Sequence, residues 1–127
     1  MSETARELLS IARHAGSGTV PLNSLPLPSM GFYVGGSIPE MVMTHDDVNR
    51  RDRVPIQRVI DFVHRAGTAY VGVWTDTETD MIHFDAVEWY AEEFTAAAIA
   101  RVRGELAVWD IARERELRLA YVDGERA

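Results

Sequence analysis

The chain contains no cysteine, which excludes disulfides, thiol nucleophiles and thiolate metal sites. It contains no lysine either; all 13 basic residues are arginine. A P-loop needs its lysine, so Gly31, Gly35 and Gly36 form no phosphate-binding fingerprint. No apolar run approaches the roughly 20 residues of a membrane span. The opening Met1-Ser2-Glu3-Thr4 is polar and acidic, unlike a secretory signal. The expectation is a cytoplasmic protein with no membrane partner. There is no His-Glu-x-x-His, no Gly-x-Ser-x-Gly and no calcium-loop pattern. No catalytic residue, metal site or cofactor is therefore assigned.

One sign of charge is missing from a long stretch. No basic residue lies between Ala66 and Ala100, where Asp76, Glu78, Asp80, Asp85, Glu88, Glu92 and Glu93 fall. These account for the whole net charge of −7. An acidic lobe repels phosphate backbones, so nucleic acid is not an expected partner. It suits a basic protein surface. The Arg-rich run Asn49-Arg50-Arg51-Asp52-Arg53 is short and interrupted, and reads as a solvated loop.

What is present is enough for one globular domain: 127 residues, 46% hydrophobic and 26% charged. Residues 4–15 read as a helix, with Thr4 and Glu7 at capping-box spacing and Leu8, Ile11, Ala12 and Ala15 on one face. Residues 17–29 hold Gly18, Pro21, Pro26 and Pro28 and read as a linker or extended arm. Residues 30–36 read as a short strand, and 37–53 are ambiguous. Pro55 opens a helix striped by Ile56, Val59, Ile60 and Val63 and stopped by Gly67.

Residues 69–75 and 81–89 alternate in hydropathy and read as an antiparallel hairpin around a polar turn at 76–80. Residues 92–103 read as a helix with Phe94, Ala98 and Val102 on its apolar face. Strands at 105–111 and 116–122 follow, and 123–127 should fray. The division expected is an N-terminal helix and arm at 1–29 and a single α+β domain at 30–127. Its order is that of a ferredoxin-like βαββαβ sandwich with a possible extra C-terminal strand.

Such a sandwich leaves one sheet face bare. If Val71, Val73, Ile82 and Phe84 meet the helices, Tyr70, Trp74, His83 and Asp85 point the other way, joined by Tyr33. This aromatic face is either covered by the N-terminal helix and arm or available to a partner. Tyr33, Tyr70, Trp74, His83 and Asp85, with Asp76, Glu78 and Asp80 for charge, are the expected partner-binding residues. A homo-oligomer is also expected. His83 and Asp85 share a face, yet no nucleophile accompanies them at a telling spacing. Thr44-His45-Asp46-Asp47 offers metal-ligand chemistry but reads better as a polar loop or helix cap. His14 and His64 lie late in helices, where a cation suits the dipole. A small-molecule or metal-binding pocket beside residues 38–53, and a virion or assembly role, are the alternatives.

Val71-Gly72-Val73-Trp74-Thr75-Asp76, then Glu78-Thr79, then Ile82-His83-Phe84-Asp85, resembles a recurrent type of small protein from actinobacteria and the phages that infect them. Gly104-Glu105-Leu106-Ala107-Val108-Trp109-Asp110 resembles their closing passage from helix to strand. Met30-Gly31-Phe32-Tyr33-Val34-Gly35-Gly36 is similar to their opening strand. The resemblance runs from about Met30 to Leu119, and Asp80 stands where glycine is usual at the hairpin turn. It implies an actinobacterial or actinophage source. A small acidic α+β domain with an aromatic sheet face and no catalytic constellation is expected to be a non-enzymatic accessory protein that binds another protein. In a phage, that role would be to modulate a host or defence factor. The resemblance transfers no catalytic residue.

Overall fold

The computed structural model describes residues 2–22 and 25–120. The fold is mixed α+β, with four helices and one seven-stranded antiparallel sheet. The helices are α1 (Ser2–Arg13), α2 (His45–Val48), α3 (Val54–Ala66) and α4 (Glu93–Val102). The strands are β1 (Gly18–Pro21), β2 (Phe32–Val34), β3 (Met41–Thr44), β4 (Tyr70–Asp76), β5 (Met81–Tyr90), β6 (Ala107–Asp110) and β7 (Arg115–Arg118). They lie in the order β1-β4-β5-β2-β6-β7, with β3 also on β5. The sheet has more strands than the four of a simple βαββαβ sandwich. The expected extra strand near the C-terminus is β7. The expected fraying of 123–127 lies outside the described residues.

Three expectations change in the N-terminal half. Residues 17–29 are not simply a linker, because β1 adds an edge strand to β4 and buries Val20. Pro21 is tolerated there because an edge strand needs few ladder donors. The capping box at Thr4 does not form. The helix starts earlier, at Ser2, so Thr4 sits within it, and its hydroxyl donates to the Pro21 carbonyl at 3.3 Å. Residues 37–53 resolve into β3 and the single turn of α2.

Two cores lie on one side of the sheet. The larger packs Ala5, Leu8 and Ala12 of α1 and Val59, Phe62 and Val63 of α3 against Val71, Val73, Ile82 and Phe84. The smaller packs Ala96 and Ala100 of α4 against Val34 and Val108. The face of α4 is the reverse of the one expected: Phe94, Ala98 and Val102 face solvent, and Ala96 and Ala100 face the sheet. Small side chains bring the helix close to the strands, which the larger Phe94 and Val102 would not allow.

β2 and β3 pair with successive parts of β5. β2 takes Glu88–Tyr90 and β3 takes Met81–Phe84. Between them, β5 residues 85–87 pair only with β4. Residues 35–40 form the interruption opposite that gap. Gly35 is required here: a Cβ on it would lie 2.0 Å from Asp85 Oδ2.

Candidate partner-binding face

Register partners share a face of the sheet, and successive residues alternate. Ile82, Phe84 and Ala86 of β5 are fully buried on the helix side. His83, Asp85, Val87 and Trp89 therefore point to the other side. Trp74 and Tyr70 are the partners of His83 and Val87. Tyr33 is the partner of both Trp89 and Trp109. The face thus carries Tyr33, Tyr70, Trp74, His83, Asp85, Trp89 and Trp109.

No helix among the described residues packs on this face. Ala5, Leu8 and Ala12 of α1, Val59, Phe62 and Val63 of α3, and Ala96 and Ala100 of α4 enter the two cores on the opposite side. α1 does not fold across it, because its apolar stripe sits beside α3. The chain before β2 touches the face at one corner, where Trp89 Nε1 donates to the Met30 carbonyl at 2.8 Å. Trp74, Trp89 and Trp109 remain 44%, 38% and 41% exposed.

The aromatic rings are organised by direct contacts. Trp74 and His83 stack with ring centroids 4.2 Å apart and planes 8° apart. His83 Nδ1 lies 2.9 Å from Glu40 Oε1, which fixes the imidazole from its other side. Tyr33 and Tyr70 meet at 5.6 Å with tilted planes. Burial, with the neighbouring Tyr70 second, raises the Tyr33 hydroxyl above its ordinary pKa. Stiff aromatic side chains held in this way lose little entropy on binding, which suits a recognition surface.

The acidic turn closes one end of the face. The Asp76 carboxylate accepts from the Glu78 N–H at 3.0 Å, and this bond holds its pKa below the usual range. Asp80 adopts φ +60°, the left-handed conformation in which glycine is favoured. Its N–H donates to the Asp76 carbonyl at 2.8 Å. Asp76, Glu78 and Asp80 are thus preset on a tight hairpin tip.

Beside the face, the interruption between β2 and β3 opens a cleft of about 350 Å³ lined by residues 36–40, Asp85, Arg103 and Glu105. Asp85 lies at its base. Burial pushes its carboxyl up to about 6, reinforced by Glu105 and Glu40 and opposed by the Gly36 N–H. That N–H donates to Asp85 Oδ1 at 3.3 Å. Arg103 bonds Glu88 and donates to the Gly35 carbonyl, tying α4 to the loop.

The Thr44-His45-Asp46-Asp47 segment forms a helix start. Thr44 Oγ1 accepts from the Asp47 N–H, and Asp47 Oδ2 accepts from the Thr44 N–H. Asp47 is thereby committed to capping α2. His45 Nδ1 is buried without a hydrogen-bond partner. No group of three or more His, Cys, Asp or Glu side chains among the described residues could hold a metal ion. His14 caps its own helix end, with Nδ1 2.7 Å from the Ser10 carbonyl.

The structure therefore brings Tyr33, Tyr70, Trp74, His83 and Asp85 onto one face, with Asp76, Glu78 and Asp80 at its end. Trp89, Trp109 and Glu40 were not anticipated. Trp89 was legible in principle, since it follows His83 and Asp85 at period two. Trp109 needed the register of β6 on β2, and Glu40 needed the position of the loop. No helix among the described residues is long and apolar enough to cross a membrane. No protein-family model, no curated protein and no solved structure matches this chain.

Proposed function

We propose that this chain is a non-enzymatic accessory protein that acts in the cytoplasm by binding another protein through the open sheet face. The observation that carries this reading is the set of exposed rings Trp74, Trp89 and Trp109, with half-buried Tyr33 and Tyr70 between them, on the side of the sheet away from the two helix-lined cores. Interface cores are enriched in such residues, and a contiguous exposed apolar patch marks a contact surface. The acidic tip at residues 76–80 selects a partner with basic groups opposite it. The strand order β6-β2-β5-β4 at the centre supports reading the fold as an elaborated ferredoxin-like sandwich. In a phage, such a protein would modulate a host or defence factor.

The test compares affinity capture by the wild type, Trp74→Ala, Trp109→Ala and a control, Gln57→Ala, on the exposed side of α3. The reading predicts a protein retained by wild type and Gln57→Ala and lost from both tryptophan variants. Equal retention by all four would overturn it. A second reading rests on the cleft at Asp85, whose carboxylates suit a small cationic ligand. A ligand that raises the melting temperature of the wild type but not of Asp85→Asn would favour that reading.

A further inference from the structure

β7 is the last strand in the sheet order, and no described strand pairs with its outer edge. Its inner edge lies on β6, with Ala107 opposite Arg118 and Asp110 opposite Arg115. The Leu119 N–H donates to the Leu106 carbonyl in that same register. Antiparallel strands exchange backbone bonds at every second residue pair. Leu119, Leu117 and Arg115 therefore turn their backbone groups inward to β6, and Glu116 and Arg118 turn theirs outward. The far side of β6 has the matching parity, since the Ile111 N–H donates to the Gly31 carbonyl of the chain leading into β2.

We propose that this edge pairs with the same edge of a second copy, antiparallel about a two-fold axis at Leu117. Outward backbone groups at Glu116 and Arg118 allow an axis at Leu117, Glu116 or Arg118. The axis at Leu117 sets Glu116 of each copy opposite Arg118 of the other. Each such pair exchanges both backbone bonds and joins opposite charges. An axis at Glu116 or at Arg118 would set that residue against itself, and like charges directly opposite repel. Charged side chains ordinarily guard an edge strand against pairing. Here their alternating signs forbid the slipped registers and admit this one, the self-complementary pattern an isologous dimer requires.

The side chains fit the same occupant. Arg118 and Glu116 lie 3.8 Å apart within one chain, with side chains 71% and 63% exposed. On pairing, the four charges alternate in sign round a square, so each keeps its own partner and gains a second. Leu117 points to the other side of the sheet with its register partner Val108, and packs against the smaller core. On the axis it forms a pair without backbone bonds, the closer kind, with Cα atoms about 4.5 Å apart. The two Leu117 side chains then meet across the seam and extend both smaller cores.

The register partner of Glu116 is Trp109, so the paired charges lie on the open aromatic side. Register partners share a face, so the two copies present their aromatic faces on the same side of one joined sheet. Trp109 of each copy then stands one strand from the seam. The seam is a four-residue strand per copy, smaller than the roughly 800 Å² per partner of a standard interface. The dimer is therefore weak and forms in the micromolar range.

Sedimentation equilibrium from roughly 10 to 500 µM tests it. The mass should rise with concentration from 14.2 kDa towards twice that value. Arg118→Pro removes an outward N–H, a change an edge strand tolerates. It should stay monomeric, with near-ultraviolet circular dichroism equal to wild type. Arg118→Glu should weaken the dimer about tenfold. Glu116→Arg combined with Arg118→Glu should restore it, because the swapped charges are again opposite. The chain has no cysteine, and only a residue on the axis meets itself. Leu117→Cys should therefore oxidise to a linked dimer at least about tenfold faster than Arg115→Cys, whose two copies lie about 14 Å apart along the seam. Trp74→Ala should leave association unchanged. A monomer at every concentration, a dimer unaffected by Arg118→Pro, a charge swap that fails to restore association, or equal oxidation of the two cysteine variants would each overturn the proposal.

Discussion

Trp74 and His83 are register partners across β4 and β5, and their rings stack 4.2 Å apart on the side of the sheet without helices. Glu40, from the loop that interrupts β2 and β3, holds the imidazole at 2.9 Å. The loop, the hairpin and the aromatic face are thus joined at one point.

Trp74→Ala removes the stack while leaving both cores intact. Trp74 is 44% exposed, so the stability loss should be small, about 1 kcal/mol, the size of a cross-strand aromatic pair. Partner binding should fall much further, because central aromatic residues carry most of an interface's energy. Urea unfolding and a binding assay on the same variant measure both.

Asp85 should make stability fall as pH rises. Its folded pKa, about 6, lies above its ordinary value of 3.8. The folded state therefore binds the proton more tightly than the unfolded state does. The stabilisation is fully present below the unfolded value and is lost as pH rises through about 6. Asp85→Asn keeps an acceptor for the Gly36 N–H and removes the charge. It should be more stable than wild type at pH 8, by roughly 1 kcal/mol once solvent screening is allowed for. The two should converge near pH 4. Chemical denaturation of both proteins across that range checks the difference, in which the other titrating groups cancel.

Gly35→Ala should destabilise by about 1–3 kcal/mol, since the added Cβ falls 2.0 Å from Asp85 Oδ2. The cost should shrink when Asp85→Ala is combined with it, because the clashing carboxylate is gone. A double-mutant cycle by denaturation reads that coupling. Additive costs would show that the loop and Asp85 are independent.

Asp80→Gly separates stability from binding. Asp80 sits at φ +60°, which glycine adopts without the Cβ penalty. The substitution should be neutral to stabilising, by up to about 1 kcal/mol, while weakening a basic partner by removing a carboxylate at the tip. Thermal melts and salt-dependent binding rates measure the two effects.

The hairpin and its two faces were legible in the sequence because residues alternate at period two from Val71 to Val73 in β4 and from Ile82 to Ala86 in β5. Tyr70, Trp74, His83 and Asp85 followed from that alternation alone, and Tyr33 was added from the first strand. β1 was hidden because Gly18 and Pro21 carry the composition of a linker, and only pairing with β4 makes the segment a strand. β3 was hidden because Met41, Val42 and Met43 are all apolar and show no alternation. The buried side of α4 was misread because Phe94, Ala98 and Val102 are more apolar than Ala96, Ala97 and Ala100. Close packing of the alanines against Val34 and Val108 overrides that hydropathy. The cleft at Asp85 depends on a gap in the sheet, which no local pattern encodes.

Site-specific photo-crosslinking tests the central claim most directly. A benzoylphenylalanine at the position of Trp109 samples the open face, and one at the position of Gln57 samples the exposed side of α3. The account predicts a discrete adduct with a second protein from the Trp109 position in the source cell, none from the Gln57 position, and loss of the adduct when Trp74→Ala is added. Adducts from the Gln57 position alone would contradict it.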